Sequence, residues 1–441
     1  MESGVPSRIF RKSEEGASLI RISPFRLFEA SNFVMLALVF NPGSASLKFE
    51  LIGLGPDQTF ASEGKKILSA SLEGIGNHAR LLVFQDREIA ESEPCEIPDM
   101  HYGTGFALRW LREQGAAEMK DLALVGLRVV HGGCRYRSAV SMSPRVRSDI
   151  EAFEDLAPMH NKSSLAILDV LAKELPRVPV VAAFDTSFHL TLPEVAWRYP
   201  IPRSIADQFG IRKYGFHGLS HRYMLEQYAR TMGKQPEDCS IITLHLESGC
   251  SAAAISHGRS VDTTMGLTPL EGLMMGTRSG SIDPAIIPLL MLKLGIGADR
   301  VVKLLNLESG LLGIAGQTFD TRELAKRSDF AAKLALEMFA YRVRLAVGGY
   351  LATLGNAEAL IFGGGIGEDT PIVREMVCKG LEGWGLAFDH EANARSTAGP
   401  ACLSRPESRL QARVIAVEEG LQIAHECSLA LSAEENMRRA A

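Results

Sequence analysis

The chain has 441 residues, of which 46% are hydrophobic and 22% are charged, and its formal net charge is −5. This length accommodates two or three domains, each with its own core, and the composition is that of an ordinary globular enzyme. The mild acidity gives no reason to expect nucleic acid as a partner, and no apolar run reaches the ~20 residues that a membrane helix needs.

Residues 1–34 differ in character from the rest of the chain, because they mix several arginines with acidic residues. They lack the apolar core of a secretory signal, and their acidic residues fit a transit peptide poorly. We therefore expect this segment to be a dispensable, disordered extension, with Met35 as an alternative start.

Two segments about two hundred residues apart share a pattern of strand, glycine-bearing turn and strand. The first spans residues 36–51 and the second spans residues 240–255. Apolar and β-branched runs on both sides of a glycine are typical of hairpins. The repeat predicts a duplicated domain with a cleft between its halves, although two similar turns can also arise independently.

The first turn carries polar groups that suit a phosphate. Glycine lets the backbone N–H groups approach an anion, and Ser44, Ser46 and Lys48 add further donors beside Asn41. For this copy alone, an ordinary hairpin explains the pattern equally well. The sequence contains no Walker A motif, which removes a common alternative way of holding a nucleotide.

A third segment, residues 359–369, contains a triple glycine. It indicates a strand, a glycine turn and the start of a helix, with Pro371 in the first helical turn. Helical patterns fill the intervals between the strands, for example at 163–175 and 331–354. The alternation of strands and helices predicts α/β layers.

The histidines and cysteines indicate what kind of site and what redox environment to expect. Six of the eleven histidines lie in short strings with glycine, asparagine or an acid, and their spacing does not match a zinc site. A single histidine is more often structural, but this density favours a functional cluster. The seven dispersed cysteines favour reduced thiols and a cytoplasmic location over a disulfide framework.

Ordered strings from Met35 to about Ala430 resemble the acetate kinase family, within the actin, hexokinase and Hsp70 superfamily. The strings are NPGSASLKF at 41–49, RVVHGG at 128–133, LAPMHN at 156–161, FDTSFH at 184–189, YGFHGLSHRY at 214–223, SVDTTMGLTPLEGLMMGTRSGSIDP at 260–284, SGLLGIAG at 309–316 and GGGIGED at 363–369.

The resemblance implies two ribonuclease-H-like α/β domains, of the actin-like ATPase type, around a central cleft. Residues 35–186 with 420–441 would form an acyl-substrate domain, and residues 187–419 a nucleotide-binding domain. It also implies a homodimer, with a small carboxylic acid and a nucleotide as ligands.

The resemblance further implies a role for each matching position. Asn41 and Glu419 would hold Mg²⁺, with Mn²⁺ as an alternative metal. The catalytic positions are Arg128, Asp185, His217 and Arg278. The acid-binding positions are Arg128, Val130, Met159, His160, Phe216 and Pro269. The nucleotide and phosphate positions are Ser44, Ser46, Lys48, His245, Leu246, Glu247, Ser248, Gly249, Asp320, Thr321, Arg322, Gly365, Ile366, Gly367, Glu368 and Asp369.

The implied activity is reversible phosphoryl transfer from ATP to acetate, or to propionate, giving an acyl phosphate and ADP. Such transfer needs in-line positioning and neutralisation of charge, and two arginines offer forks matched to carboxylate and phosphate oxygens. Acetate is already ionised near neutrality, so Asp185 is interpreted more as a positioning group than as a base.

The sequence departs from the family pattern in the second turn, where Glu247 and Ser248 stand in place of glycine and asparagine. A carboxylate beside polyphosphate leaves three outcomes open: Glu247 turns to solvent, recruits magnesium, or alters nucleotide binding. The implied activity therefore has two alternatives, namely another donor such as pyrophosphate, or a weakened regulatory homologue. Milder departures are Leu127, Met159, Leu219 and Asp369.

Overall fold

The computed structural model describes residues 35–55, 64–85, 88–114, 121–154, 156–157, 160–396 and 399–440. The extension expected at 1–34 and the acyl-pocket residue Met159 lie outside the described residues. Among the helices described, none is both long enough and apolar enough to span a bilayer.

The N-terminal strands form one mixed sheet. Its strands are β1 (Met35–Pro42), β2 (Ser46–Leu54), β3 (Lys65–Glu73), β4 (Arg80–Gln85), β5 (Glu88–Pro94), β6 (Leu122–Val129), β7 (Val140–Ser141) and β8 (Val180–Phe184). Their order across the sheet is β5-β4-β3-β2-β1-β6-β8-β7. β1 and β2 form the predicted hairpin, while β6 runs parallel to both β1 and β8.

A second mixed sheet lies in the C-terminal part. Its strands are β9 (Ile241–Leu246), β10 (Cys250–Ser256), β11 (Arg259–Thr263), β12 (Ala359–Gly363), β13 (Ala401–Cys402) and β14 (Gln411–Val414). Their order is β11-β10-β9-β12-β14-β13. β9 and β10 form the second predicted hairpin, and β12 runs parallel to β9 and β14.

The two sheets repeat one topology. In each, three antiparallel strands (β1 to β3, β9 to β11) are extended by two parallel ones, in the order β3-β2-β1-β6-β8 and β11-β10-β9-β12-β14. This is the ribonuclease-H-like arrangement, and it confirms the predicted fold class of duplicated α/β domains. β1 and β9, the first strands of the two copies, occupy equivalent places in their sheets. The β1–β2 and β9–β10 turns therefore lie at equivalent strand ends.

Helices cover the sheets. They are α1 (Met100–Glu113), α2 (Pro144–Ala152), α3 (Asn161–Glu174), α4 (Glu194–Trp197), α5 (Arg203–Phe209), α6 (Gly218–Met232), α7 (Ile286–Leu294), α8 (Ala298–Leu307), α9 (Gly310–Ala315), α10 (Thr321–Lys326), α11 (Phe330–Leu354), α12 (Gly364–Asp369), α13 (Pro371–Cys378), α14 (His390–Arg395) and α15 (Glu419–Ala440), with 3-10 turns at Ser187–Thr191, Pro236–Asp238 and Glu382–Trp384.

Local chemistry explains where several helices begin. α3 and α11 confirm the two predicted helical patterns, and Asp329 caps α11 by accepting from the backbone N–H of Ala332. The predicted glycine turn at 363–365 is corrected, because the second glycine already begins α12. Pro371 then opens α13 at the first helical position, as expected.

The last helix returns to the first sheet. α15 packs against β1, β2, β6 and β8, and it also contacts α6. Ala37 and Val181 of the first sheet share one buried cluster with Ile241 and Ile361 of the second. These contacts support the division into 35–186 with 420–441 and 187–419, which we retain as a proposal.

Candidate active site

Three chain turns meet between the sheets. The β12–α12 turn lies against the end of β9, since Gly363 pairs with His245. A Cβ atom on Gly364, whose φ is +74°, would come within 2.7 Å of the Leu246 carbonyl oxygen, so only glycine fits there. On the facing hairpin, the charge of Lys48 contributes to lowering the pKa of Glu247. The polar loops of the two halves therefore face one another.

Asn41, at the end of β1, and Glu419, at the start of α15, are in direct contact. Asn41 Nδ2 donates to Glu419 Oε2 at 2.8 Å, and the other oxygen of Glu419 accepts from the Ser220 hydroxyl. Burial alone would raise the pKa of Glu419, but the charges of Arg128 and His245 and these hydrogen bonds lower it to about 2. An ionised carboxylate beside an amide oxygen is a donor set that fits Mg²⁺.

Arg128, on β6, is held by Asp185, which directly follows β8. Arg128 Nε and Nη2 donate to Asp185 Oδ1 and Oδ2 at 2.9 and 2.6 Å, and Nη1 donates to Asn41 Oδ1 at 2.8 Å. Burial would lower the pKa of Arg128, but the charges of Asp185 and Glu419 raise it. Asp185 is buried with both oxygens occupied, which favours positioning over proton transfer.

His217 occupies the left-handed backbone region, with φ of +58°, immediately before α6. This conformation is costly for a residue with a Cβ atom. It is held in place because the N–H of Gly218 donates to the Asp185 carbonyl at 2.9 Å, at an approach that leaves no room for a Cβ on that glycine. The His217 ring lies against His245, with 4.4 Å between the ring centroids, and its Nδ1 is 2.9 Å from Ser251 Oγ.

His217 and Arg278 converge beside Gly249, so closely that a Cβ atom on this residue would be tightly packed. A Cβ atom built on Gly249 would lie 3.3 Å from Arg278 Nη1 and 3.5 Å from His217 Nε2. Arg278 is anchored by donating to the Pro269 carbonyl at 3.1 Å. Burial and the charge of Arg128 both lower the pKa of Arg278. The two predicted arginines are therefore close enough to repel one another. Two nitrogen donors that converge beside a glycine suit an anionic group.

Burial and neighbouring cations keep two of the histidines at the site, His217 and His160, uncharged. The pKa of His217 lies well below 6.5, chiefly through burial, with contributions from His245 and Arg128. Burial and the charges of Arg278 and Arg128 lower the pKa of His160 to about 4. Both rings are therefore neutral at physiological pH, and each can donate one hydrogen bond without adding a charge.

An apolar wall adjoins these groups. Val130 and Phe216 are buried in the same cluster, although they come from opposite halves of the chain. Pro269 lies nearby, since its carbonyl binds Arg278. Val130 and Phe216 thus belong to one buried cluster, and Pro269 contacts Arg278.

The predicted nucleotide segments meet on the C-terminal side. Thr321 and Thr370 share a hydrogen bond of 2.8 Å, which ties α10 to the junction of α12 and α13. Asp320 caps α10 and accepts from the Arg322 guanidinium at 3.0 and 2.7 Å. Arg322 is exposed, so its side chain is accessible to a ligand.

Some predicted phosphate-binding positions do not present side chains to the cleft. Leu246 is fully buried in the core, so only its backbone lies at the turn. The carboxylate of Glu368 accepts from the N–H groups of Gly364 and Val417, each at 2.9 Å, and supports the third turn from within. Ile366 packs partly against the core.

The other predicted positions of the turns remain accessible. Gly365 is exposed, and the structure leaves open space where its Cβ atom would be. Ser44 and Ser248 are also exposed, and Ser46 is half-buried with Lys48. Gly367 is buried, while Asp369 is half-buried and its charge acts on Arg322.

Glu247, the main departure from the family pattern, turns partly to solvent, with 60% of its side chain exposed. Its Oε2 atom lies 3.5 Å from His245 Nε2. That interaction lowers the pKa of Glu247, and it raises the pKa of His245 against the opposing effect of burial. The carboxylate therefore forms an ion pair with a residue of the second turn, an outcome beyond the three considered.

Other contacts around the site carry no recognisable sequence pattern. Glu50 is buried beneath Lys48, accepts from Ser69 at 2.9 Å and pairs with Lys66, which itself binds Glu418. By strand alternation Glu50 shares the face of the half-buried Ser46 and Lys48, so its position in β2 does not predict its burial. Only the structure shows that it anchors the lysine of the first turn.

Comparison with known proteins agrees with this geometry. The sequence model described as the acetokinase family matches residues 36–425. An acetate kinase of Solibacter usitatus (strain Ellin6076) is 42% identical over 405 residues, covering 89% of this chain and 97% of that protein.

Two solved structures are also similar over 90% of this chain. The acetate kinase of Porphyromonas gingivalis has a TM-score of 0.81 at 34% identity and is covered completely. A propionate kinase from Francisella tularensis subsp. tularensis SCHU S4 has the same TM-score and identity, with 99% of it covered. The chain therefore belongs to the acetokinase family.

Proposed function

We propose that this chain transfers the terminal phosphoryl group of ATP reversibly to acetate, giving acetyl phosphate and ADP. The observation that carries the proposal is the convergence of Arg278 Nη1 and the Nε2 edge of His217 beside Gly249, where a Cβ atom would lie 3.3 and 3.5 Å from these two nitrogens. A phosphoryl group bound beside this pair of nitrogens would meet two donors, and Arg128 is close enough for its charge to act on Arg278.

The residues act by binding and orientation. One acetate oxygen attacks the phosphorus while the bond to the ADP oxygen breaks, and Arg278 and His217 donate to the equatorial oxygens. Asp185 and Asn41 hold the guanidinium of Arg128 in one orientation. The side chain therefore loses less conformational entropy when the anions bind. Val130 and Phe216 exclude water from the acyl tail.

Asn41 and Glu419 would hold Mg²⁺, or Mn²⁺ as an alternative. The metal supplies neutralisation of phosphate oxygens when it is bound. The contact between the two side chains must open toward the ion, since Asn41 Nδ2 donates to Glu419.

The proposal also ranks the possible acids and phosphoryl donors, with acetate and ATP first. Propionate is the second acid, because one of the similar structures, at 34% identity, is that of a propionate kinase. Pyrophosphate remains the second donor, because the carboxylate of Glu247 lies in the turn that would hold the polyphosphate of ATP.

The test is to trap acyl phosphate with hydroxylamine as the hydroxamate. ATP, GTP and pyrophosphate are compared as donors, each with acetate, propionate and butyrate. The highest kcat/KM with ATP and acetate supports the proposal. Product formed with pyrophosphate but not with ATP would identify pyrophosphate as the donor. No product from any combination of donor and acid would favour a regulatory homologue.

We also propose a homodimer and a cytoplasmic location. None of the residues of α7 is buried although its sequence, IIPLLMLKL, is strongly apolar, and Leu292 is 80% exposed. An apolar helix left uncovered suits a contact with a second copy. Light scattering of the full chain, and of its Leu292→Glu variant, tests this contact.

A further inference from the structure

Behind His217 lies a chain of three hydrogen bonds. His217 Nδ1 is 2.9 Å from Ser251 Oγ, which is also 2.8 Å from His221 Nε2. His221 Nδ1 is in turn 2.8 Å from Thr243 Oγ1. Ser251, His221 and Thr243 are all fully buried, so no solvent takes part in the chain.

The direction of these hydrogen bonds follows from the Thr243 hydroxyl. Within the described part of the chain, His221 Nδ1 is the sole hydrogen-bond partner of that hydroxyl. A buried hydroxyl without an acceptor is costly, so the Thr243 hydrogen must be donated to His221 Nδ1. Neutral His221 then carries its proton on Nε2 and donates it to Ser251.

The direction of the remaining hydrogen bond, between Ser251 and His217, is then determined. Ser251 already accepts from His221, so its own hydrogen is directed to His217 Nδ1. Neutral His217 must therefore carry its proton on Nε2. The reverse direction would leave a hydroxyl hydrogen of Thr243 without an acceptor. Burial holds the pKa of both histidines well below 6.5, which keeps each ring in its neutral form.

We propose that Thr243, His221 and Ser251 are positioning residues that hold His217 as its Nε2–H tautomer, with that hydrogen on the ring edge that lies beside Gly249 and Arg278. The inference rests on the proposed role of His217 in binding the phosphoryl group. The other tautomer would present a nitrogen lone pair to an anion, which is repulsive, in place of a donor. The Thr243 hydroxyl thus determines which ring nitrogen of His217 carries the hydrogen.

The first experiment reads the tautomer directly in the full chain. Long-range ¹H–¹⁵N NMR of ring-labelled histidine distinguishes a protonated Nε2 from a protonated Nδ1, and the His217→Gln variant identifies the His217 signals. We expect a protonated Nε2 in the wild type. A protonated Nδ1 overturns the inference, and this readout stands even if the chain proves inactive toward acetate.

The second experiment breaks the chain at its far end. Thr243→Val should mix the two tautomers of His217 and lower kcat about three- to tenfold, the effect of one hydrogen bond, with KM for acetate unchanged. Thr243→Ser should restore both readouts. The matched control is Thr263→Val, because Thr263 is equally buried but donates to the Ala252 carbonyl at 3.0 Å.

Equal losses in the two valine variants, or a tautomer that Thr243→Val leaves unchanged, overturn the inference. If Thr243→Val does not fold, Ser251→Ala interrupts the chain one link closer to His217. It should disturb the same NMR signals.

Discussion

The guanidinium of Arg128 holds both carboxylate oxygens of Asp185, at 2.9 and 2.6 Å, although the two residues are 57 positions apart. The carboxylate is 1% exposed and the guanidinium 14%. Buried ion pairs seldom add stability relative to apolar packing, because both charges lose their hydration. The pair therefore fixes the orientation of a buried cation beside Asn41 and Glu419.

Removing the carboxylate charge should leave Arg128 buried without a counterion. For Asp185→Asn we expect the free energy of unfolding to fall by about 3 kcal/mol. Hydroxamate formation should also fall sharply, because the guanidinium is no longer held in one orientation. Urea unfolding measures the first effect. Glu174→Gln is the matched control, since its pair with Arg112 is over 40% exposed and should cost under about 1 kcal/mol.

Arg278→Ala should remove a donor from the proposed phosphoryl site without unfolding the chain. Charge-stabilising arginines in phosphoryl transfer contribute about 10³-fold or more to rate, so we expect a loss of that order in kcat/KM. Arg278→Lys should recover only part of it, because an ammonium lacks the planar fork. Arg300→Ala, in an exposed pair with Glu308, is the control. Full activity of Arg278→Ala would refute the assigned role.

The fold could be predicted from the sequence because its determinants are local. The hairpins around Gly43 and Gly249 combine short apolar strands with a glycine-bearing turn, so their pattern is visible in the sequence without any distant partner. The resemblance then supplied the site positions. What it could not supply was the direction of each side chain.

Side-chain direction depends on neighbours that are distant in sequence. Glu368 lies in a glycine-rich nucleotide motif, yet its carboxylate turns inward to the N–H of Val417. Glu247 forms a pair with His245, two residues away on a turn, and nothing in the spacing distinguishes that pairing from exposure to solvent. The link from Thr243 to His217 passes through two other residues and has no linear pattern.

Glu247→Gly tests the effect of the unusual carboxylate on the donor. Like charges near 4 Å repel, and partial exposure of Glu247 reduces the effect, so we expect KM for ATP to fall about tenfold or less. KM for acetate should stay constant, because the acyl wall is untouched. Steady-state kinetics with each substrate varied in turn measures this. A rise in KM for ATP would show that the carboxylate assists the donor, for example through the metal.

Stability should depend on pH through His245. Its pKa is raised above 6.5, because the hydrogen bond to Glu247 and the charge of Glu419 outweigh burial. The folded chain thus binds a proton more tightly than the unfolded chain, so the contribution is complete below about pH 6.5 and is lost as pH rises through the folded value. Glu247→Gln should weaken this dependence, since it removes the principal partner. Urea unfolding across about pH 5 to 8 measures it, with Glu375→Gln as the control because its histidine partner His390 is exposed. An unchanged pH dependence in Glu247→Gln would mean that Glu419 alone sustains the charge on His245.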